Sequence, residues 1–442
     1  MAYRQGAAPK VAFVTMGCAK NEVDSAQMRS LLAAAGFDIE EDPEQADAVV
    51  VNTCSFIQAA TEESIDAIFD AAGLENVEGG APLIVAGCMP SRYGQDLADE
   101  LEEATAFVPC EGEEGIAQVV ADALGVSLDS LGHQASPACS QAYPARSEDS
   151  TVCAYVKISD GCDRFCSYCA IPYIRGRYHS CSYEEVRAQV AEAVGAGARE
   201  VDFVAQDTGR WGEDFEEPST LAQLTAGLAE EFPDTWFRLM YIQPEGLTDE
   251  LLDVVASHDN VCNYFDIPLQ HVDANLLRKM NRHGSREEFE ALIDHVLERI
   301  PDAALRTTLI AGFPGETDEQ FEDLCDFVEE GRFDYVGVFP YSREEGTRAY
   351  DLPGQIDVDE KADRAQRIRD LADAASSIKV AERIGREMDV LVEGREEDGQ
   401  LYGRAQCQAP EVDGATYLDG GEVGEVRRVR IVDTLMYEME GE

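Results

Sequence analysis

From residue 151 to about residue 342 the chain alternates six short apolar strands with helices, and this rhythm constrains the fold more than any other feature. The strands fall near Ala154–Ile158, Val201–Ala205, Phe237–Ile242, Tyr264–Pro268, Arg306–Ala311 and Tyr335–Pro340. Near-continuous apolar runs separated by helices mark strands that are buried on both faces and run parallel. Six such units in a row predict an open, partial (β/α)6 barrel of TIM-like type. Ser182 and Glu185 are spaced as a capping box that starts the first helix.

The loop after the first of these strands reads Asp-Gly-Cys-Asp-Arg-Phe-Cys-Ser-Tyr-Cys, with thiols at Cys162, Cys166 and Cys169. Three thiolates at this spacing can hold three irons of a 4Fe–4S cluster and leave the fourth iron open to a substrate or cofactor. Two blander readings compete. A zinc knuckle needs a fourth Cys or His nearby, and His179 or Cys181 could supply it. The alternative is three unrelated core thiols.

Residues 10–128 form a second α/β region. Strands are expected at Val11–Met16, Ala48–Asn52 and Leu83–Ala86, with helices over Glu22–Ala35 and Ile57–Ala72, a doubly wound pattern. Cys18, Cys54 and Cys88 each follow the C-terminal end of one of these strands by one or two residues. In an open parallel sheet those ends share the edge where ligands bind. A second three-thiol site is therefore expected, against the alternative of three inert buried cysteines. Cys110, Cys139, Cys153, Cys181, Cys262, Cys325 and Cys407 receive no role. Residues 129–150, small, polar and Pro-containing, read as a linker to the domain at 151–386, whose last charged helix spans 357–385. The final 387–442 carries β-like runs at Met388–Val392, Leu401–Ala405 and Gly424–Ile431 with glycine turns, which predicts a small β-barrel.

Composition narrows the function. The 442 residues hold 88 acidic and 35 basic side chains, a net charge of −53. Such a surface repels nucleic acid and attracts basic partners. Lysine is scarce, six against 29 arginines, which is equally a mark of a generally acidic proteome. No run of eighteen apolar residues occurs and the first ten residues have no apolar signal core, so no membrane association is expected. Thirteen cysteines, an odd number, argue for metal chemistry over a disulfide framework and for a cytoplasmic location.

The two triads in this order resemble those of the radical S-adenosylmethionine methylthiotransferases. Val-Thr-Met-Gly-Cys-Ala-Lys-Asn-Glu-Val-Asp-Ser (14–25) is similar to that family's N-terminal cluster motif, and Lys-Ile-Ser-Asp-Gly-Cys-Asp-Arg-Phe-Cys-Ser-Tyr-Cys-Ala-Ile-Pro (157–172) to its radical motif. Asp-Ile-Pro-Leu-Gln-His (266–271), Arg-Thr-Thr-Leu-Ile-Ala-Gly-Phe-Pro-Gly-Glu-Thr (306–317) and Phe-Pro-Tyr-Ser-Arg-Glu-Glu-Gly-Thr (339–347) extend the resemblance, and the C-terminal segment resembles a TRAM barrel. The resemblance implies two 4Fe–4S clusters, on Cys18/Cys54/Cys88 and on Cys162/Cys166/Cys169. It also implies S-adenosylmethionine as radical source and methyl donor, and an electron donor such as flavodoxin or ferredoxin. One departure stands out: where the family tends to read Ser-Arg after Ile174-Arg175-Gly176, this chain has Ser180-Cys181, leaving Arg177 or Arg187 to substitute.

Barrel logic adds candidates just past the strand ends, where active sites form: Gln206, Asp207, Gln243, Gln270, His271 and Tyr341. Of these Gln206, Gln270 and His271, together with Tyr168 between two thiols near the expected adenine, are taken as cofactor contacts. Arg306 and Glu316 are further candidate polar contacts, each as readily a structural hydrogen bond.

Gly-Cys-Ala-Lys-Asn-Glu-Val-Asp-Ser and Phe-Val-Ala-Gln-Asp-Thr-Gly (203–209) look most like the branch that modifies the β-carbon of an aspartate in protein twelve of the small ribosomal subunit. Charge agrees. Residues 387–442 hold five basic and fifteen acidic side chains, with one basic cluster at Arg427, Arg428 and Arg430. An RNA binder must neutralise phosphates, whereas this segment suits a basic protein. The rivals are the tRNA-modifying branch, a different radical enzyme with an auxiliary cluster, and a non-catalytic iron–sulfur carrier.

Overall fold

A computed structural model describes residues 8–131, 145–146, 150 and 152–442. The chain divides into two compact units. One runs to Ala145 and takes in Gly161–Asp163 and Cys169–Arg177; the other comprises Arg146–Asp160, Arg164–Tyr168 and Tyr178–Glu442. Most of the linker expected at 129–150 lies outside the described residues, as does Cys139.

The first unit is a five-stranded parallel sheet. Its elements are β1 (Lys10–Thr15), α1 (Ala19–Ala34), β2 (Asp38–Glu40), β3 (Ala48–Thr53), α2 (Gln58–Ala72), α3 (Glu75–Glu78), β4 (Leu83–Gly87), α4 (Cys88–Glu100), β5 (Ala106–Pro109) and α5 (Ile116–Leu124). The strand order is β2-β1-β3-β4-β5, with neighbours in parallel register such as Val11 against Ala48 and Val49 against Leu83. Every residue of β3 and β4 is buried, because helices cover both faces of the central strands. Two apolar clusters fill the layers, one around Phe13, Met28, Leu32 and Ile116, the other around Val49, Ile68, Leu83 and Val85.

The sequence reading missed β2 and β5, which have three and four residues, too few to show a period. It also started α1 three residues late. The first turn, Ala19-Lys20-Asn21-Glu22, has no Ser, Thr, Asp or Asn before it, since the N-cap residue is Cys18.

The second unit holds the barrel. A short β6 (Ala145–Arg146) precedes β7 (Cys153–Lys157), β8 (Ser159–Asp160), α6 (Ile171–Ile174), β9 (His179–Ser180), α7 (Tyr183–Gly195), β10 (Glu200–Val204), α8 (Leu221–Glu231), β11 (Trp236–Leu239) and α9 (Asp249–Ser257). Then come β12 (Tyr264–Asp266), α10 (Ala274–Lys279), α11 (Arg286–Arg299), β13 (Ala304–Ala311), α12 (Asp318–Glu329), β14 (Tyr335–Pro340) and α13 (Val358–Ala381). The strands β7, β10 and β11 pair in parallel, as do β12, β13 and β14, and a Phe237–Val261 bridge carries the curve between the two sets. Six parallel strands in chain order form the open barrel. The capping box at Ser182 and Glu185 starts α7.

The last segment closes into a barrel of five strands, β15 (Glu387–Arg395), β16 (Leu401–Ala405), β17 (Thr416–Leu418), β18 (Val426–Leu435) and β19 (Glu438–Gly441), in the order β15-β16-β17-β19-β18. It joins the open barrel through buried polar contacts at the strand starts. Arg404 donates to both carboxylate oxygens of Glu200 and both of Glu393, and Arg238 donates to Glu200 at 2.7 Å and to the Gln406 carbonyl. Arg306 donates to Asp413, which also accepts from Tyr264. Arg306 thus docks the C-terminal barrel onto the open barrel, the structural contact that its place in the motif equally allowed.

Candidate metal centres

In the first unit, four cysteines follow strand C-termini. Cys18 comes after β1, Cys54 after β3, Cys88 after β4 and Cys110 after β5. Cys18 is the N-cap residue of α1 and Cys88 opens α4, so two of the thiols sit at helix N-termini. Asn21 stitches the site together. Its Nδ2 donates to the Met16 and Thr53 carbonyls at 2.7 and 3.1 Å, tying the end of β1 to the end of β3. Asn52 returns the tie with bonds to the Asn21 carbonyl and Ser25 Oγ. Thr53 Oγ1 donates to the Ala86 carbonyl and accepts from the Met89 amide, fixing β3 to the turn that carries Cys88. Ser64 clamps Cys54 through its amide and carbonyl.

Two glycines keep room for the thiols. At Gly17 (φ +102°) a Cβ would lie 2.5 Å from Cys54 Cβ, and at Gly87 (φ +91°) one would lie 2.2 Å from Asn52 Oδ1. Only glycine combines this backbone with this clearance.

Buried thiols with few neutralising partners are costly as anions, and burial pushes the Cys54 thiol up, with Cys18 adding to the rise and Arg175 and Lys20 opposing it. Iron held at this site would take the thiols as thiolate ligands and so offset that cost. The site offers three sulfurs on the adjacent ends of β1, β3 and β4 and a fourth, Cys110, at the end of the next strand, a thiol-only donor set of the kind that holds iron–sulfur clusters. Among the described residues, the one Cys/His/Asp/Glu set whose ligand atoms all lie within 4.8 Å is Cys153, Glu200 and Asp202. That set is already engaged by Arg238 and Arg404.

Cys110 was not anticipated. Cys110 packs against the cluster of Cys88, Ala170 and Ile174, and the nearby Cys88 thiol, followed by burial, pushes its own thiol up. It follows the end of β5 as the other three follow theirs, and β5, with four residues, is too short to show a strand pattern in the sequence.

The Cys162–Cys169 loop is shared between the units, and each part is held within its own. In the first unit the Cys162 amide donates to the Gly176 carbonyl, and Gly161 (φ +71°) lets the chain pass the Arg177 carbonyl, 2.3 Å from where a Cβ would stand. Ala170 and Ile174 pack on Cys88. In the second unit Phe165 takes a left-handed φ of +49°, a strained state that Asn281 holds by donating to the Arg164 and Phe165 carbonyls. The Ser167 amide donates to the Met280 carbonyl and the Ser167 carbonyl accepts from the Ala349 amide. Arg282, 8% exposed, donates to the Pro268 carbonyl at 2.6 Å, and its charge lies near Tyr168 and Cys166.

The zinc alternative finds no support nearby. Cys181 Sγ points to the Lys157 carbonyl and packs into the barrel core, where burial pushes it up to about 11, while His179 is exposed on β9. The missing family arginine is not replaced in place. Arg177 pairs with Asp163 on the surface and Arg187 with Glu231 on the outside of α7.

At the C-terminal ends of the barrel strands, Gln206 follows β10 with both side-chain polar atoms buried and without a protein partner, as are Asp207 Oδ1 and Gln243 Oε1. Buried polar atoms need partners, so these three mark a place for a polar ligand. Asp207 keeps its other oxygen on Arg164 Nε at 2.6 Å. Gln270 takes a left-handed φ of +73° and bridges to Leu309. His271 is fully buried: Nδ1 accepts from the Asp273 amide and Nε2 faces Glu316 at 3.6 Å. Glu316 in turn accepts from the Gly312 amide and Arg364, so the structure makes it the keystone of the 312–316 turn. Tyr168 packs against the barrel core.

Comparison with known proteins follows the same division. Residues 10–109 match the model of the uncharacterised protein family UPF0004, residues 156–328 the radical SAM superfamily and residues 384–442 the TRAM domain. Full-length relatives decide the family. The ribosomal protein uS12 methylthiotransferase RimO of Sorangium cellulosum is 41% identical, over 98% of this chain and 90% of its own length. The RimO proteins of Geobacter sulfurreducens and Natranaerobius thermophilus are 40% and 38% identical, each over 98% of both chains. The chain belongs to the RimO family. Among solved structures, the radical S-adenosylmethionine methyltransferase TsrM of Kitasatospora setae superposes with a TM-score of 0.56 at 15% identity, over 77% of this chain and 74% of that one. The cobalamin-dependent radical enzyme OxsB superposes at 0.51 and 13%, over 82% and 56%. These two share the fold. The expected architecture, an α/β chain with a radical SAM barrel and a TRAM barrel, is borne out.

Proposed function

We propose that this chain is a radical S-adenosylmethionine methylthiotransferase that attaches a methylthio group to the β-carbon of an aspartate in ribosomal protein uS12. The observation that carries the reading is the pair of three-thiol sites in a chain 38–41% identical to RimO proteins over nearly its full length. Cys162, Cys166 and Cys169 would hold one 4Fe–4S cluster, and Cys18, Cys54 and Cys88 a second. When bound, the clusters and S-adenosylmethionine supply an oxidant for an unactivated C–H bond and a sulfur to be methylated and transferred.

The chain's own residues do the rest. Asn21, Asn52 and Thr53 tie together the ends of β1, β3 and β4, which carry the first triad. Gln206, Asp207 and Gln243 offer unpaired polar atoms to the cofactor at the mouth of the barrel. Gln270, His271 and Tyr168 complete the proposed cofactor wall, His271 acting from behind through its hydrogen bonds.

Protein, and not RNA, is the substrate on charge grounds. In the TRAM barrel Arg428 pairs with Asp389 and Arg430 with Glu387, so two of the three clustered arginines are already balanced. The remaining surface, in a chain of net charge −53, attracts a basic ribosomal protein and opposes phosphates. A cytoplasmic site of action, where ribosomes are, and a flavodoxin- or ferredoxin-like electron donor follow from the same reading. No helix among the described residues is long and apolar enough to cross a membrane.

The test is direct. Anaerobically reconstituted enzyme is incubated with S-adenosylmethionine, a reductant and either uS12 or bulk tRNA. A methylthio mass gain on the uS12 peptide is expected; the gain on a nucleoside alone refutes the substrate assignment.

A further inference from the structure

Beside the first triad lies a buried cation. Arg175 stands six residues after Cys169, and its side chain reaches the end of β4. One terminal nitrogen lies 2.8 Å from Asn21 Oδ1, 2.8 Å from Asp24 Oδ2 and 3.6 Å from Cys88 Sγ. The side chains of Arg175 and Asp24 are 2% and 1% exposed, and Cys88 is 4% exposed. We propose that Arg175 is a positioning residue that sets the reduction potential of the cluster on Cys18, Cys54 and Cys88, by directing a charge-assisted N–H···S hydrogen bond at the Cys88 sulfur. This inference rests on the proposed reading of that triad as a cluster site.

Three physical points carry it. Hydrogen bonds to ligating sulfurs and nearby positive charge stabilise the reduced, more negative cluster and raise its potential. Burial leaves the guanidinium's field unscreened by water. Asp24 opposes that field, because its carboxylate shares the same nitrogen. The geometry therefore predicts opposite signs for the two partners. Removing the Arg175 charge lowers the potential; removing the Asp24 charge raises it. A purely structural ion pair predicts damage from both and no such antisymmetry. An ion pair buried this deeply is a weak source of stability on its own.

The experiment uses the full chain with Cys162→Ala and Cys166→Ala, so that the first triad carries the only cluster. Midpoint potentials are read by EPR-monitored redox titration in that background, with Arg175→Gln, Arg175→Lys and Asp24→Asn added singly. Arg175→Gln is expected to shift the reduction equilibrium at least tenfold towards the oxidised cluster, ~59 mV for one electron. Asp24→Asn should shift it the other way, and Arg175→Lys, which keeps charge but not the planar fork, should fall between Arg175→Gln and the parent. Shifts under twofold, or shifts of the same sign for Arg175→Gln and Asp24→Asn, overturn the proposal. If Arg175→Gln fails to load iron, Asp24→Asn alone decides, and an unchanged or lowered potential overturns it. A background protein that binds no cluster at all instead refutes the reading of the triad, so the two failures are separable.

Discussion

Replacing Arg404 by Met should loosen the C-terminal barrel, and the size of the effect follows from its contacts. Arg404 makes five hydrogen bonds: two to Glu200, two to Glu393 and one to the Gln408 carbonyl. Arg404, Glu200 and Glu393 are all nearly or fully buried. Methionine fills most of the same volume but leaves Glu393 without its cation, while Glu200 retains Arg238. Removing one partner of a buried pair costs about 3–5 kcal/mol, chiefly the penalty of the stranded charge. With a urea dependence of about 2 kcal/mol per M, the midpoint should fall by roughly 1.5–2.5 M. The assay is urea unfolding of the full chain followed by limited proteolysis near residues 382–387, where α13 gives way to β15. The double variant R404M/E393M removes the stranded charge and should recover at least half of the loss. A midpoint within 0.3 M of the parent (about 0.6 kcal/mol at that slope), or a double variant no better than R404M, would refute the reasoning.

Acid should weaken the same contact. Burial opposes ionisation of Glu200, but Arg238 and Arg404 outweigh it and hold its carboxyl below the ordinary 4.5, so its stabilisation is full above that pH and is lost as pH falls below it; urea midpoints measured from pH 6 downward check this. Asp202 is the opposite case. Burial and the Glu200 carboxylate push it well up, so its contribution is largest below 3.8 and is lost as pH rises, and Asp202→Asn should stabilise the chain more at pH 7 than at pH 4. Gly17→Ala, which drives a Cβ into Cys54, should halve the iron bound per chain, from about eight to about four, while sparing the Cys162 loop; iron counting after anaerobic reconstitution decides. Gln206→Ala, by removing two unpartnered polar atoms, should weaken S-adenosylmethionine binding about tenfold without changing iron content, as read by equilibrium dialysis.

Local pattern is enough to place the candidate thiols. Strand–helix alternation sets parallel topology and parallel topology puts all strand C-termini on one edge, so Cys18, Cys54 and Cys88 are expected on the same edge of one sheet, and they follow β1, β3 and β4 of it. The CxxxCxxC spacing needs no tertiary knowledge, because its three thiols lie within one loop. What the sequence by itself could not determine depends on which distant elements become neighbours. Arg306 and Glu316 sat in motifs that suggested ligand contact, yet one docks on Asp413 and the other closes its own turn with Gly312 and Arg364. Cys110 and Arg175 approach Cys88 across 22 and 87 residues, through a four-residue strand and a four-residue helix too short to carry a periodic signal. A side chain's period is written in its immediate neighbours, but its partner is chosen by packing, and only the folded chain shows that Cys88 has an arginine beside it.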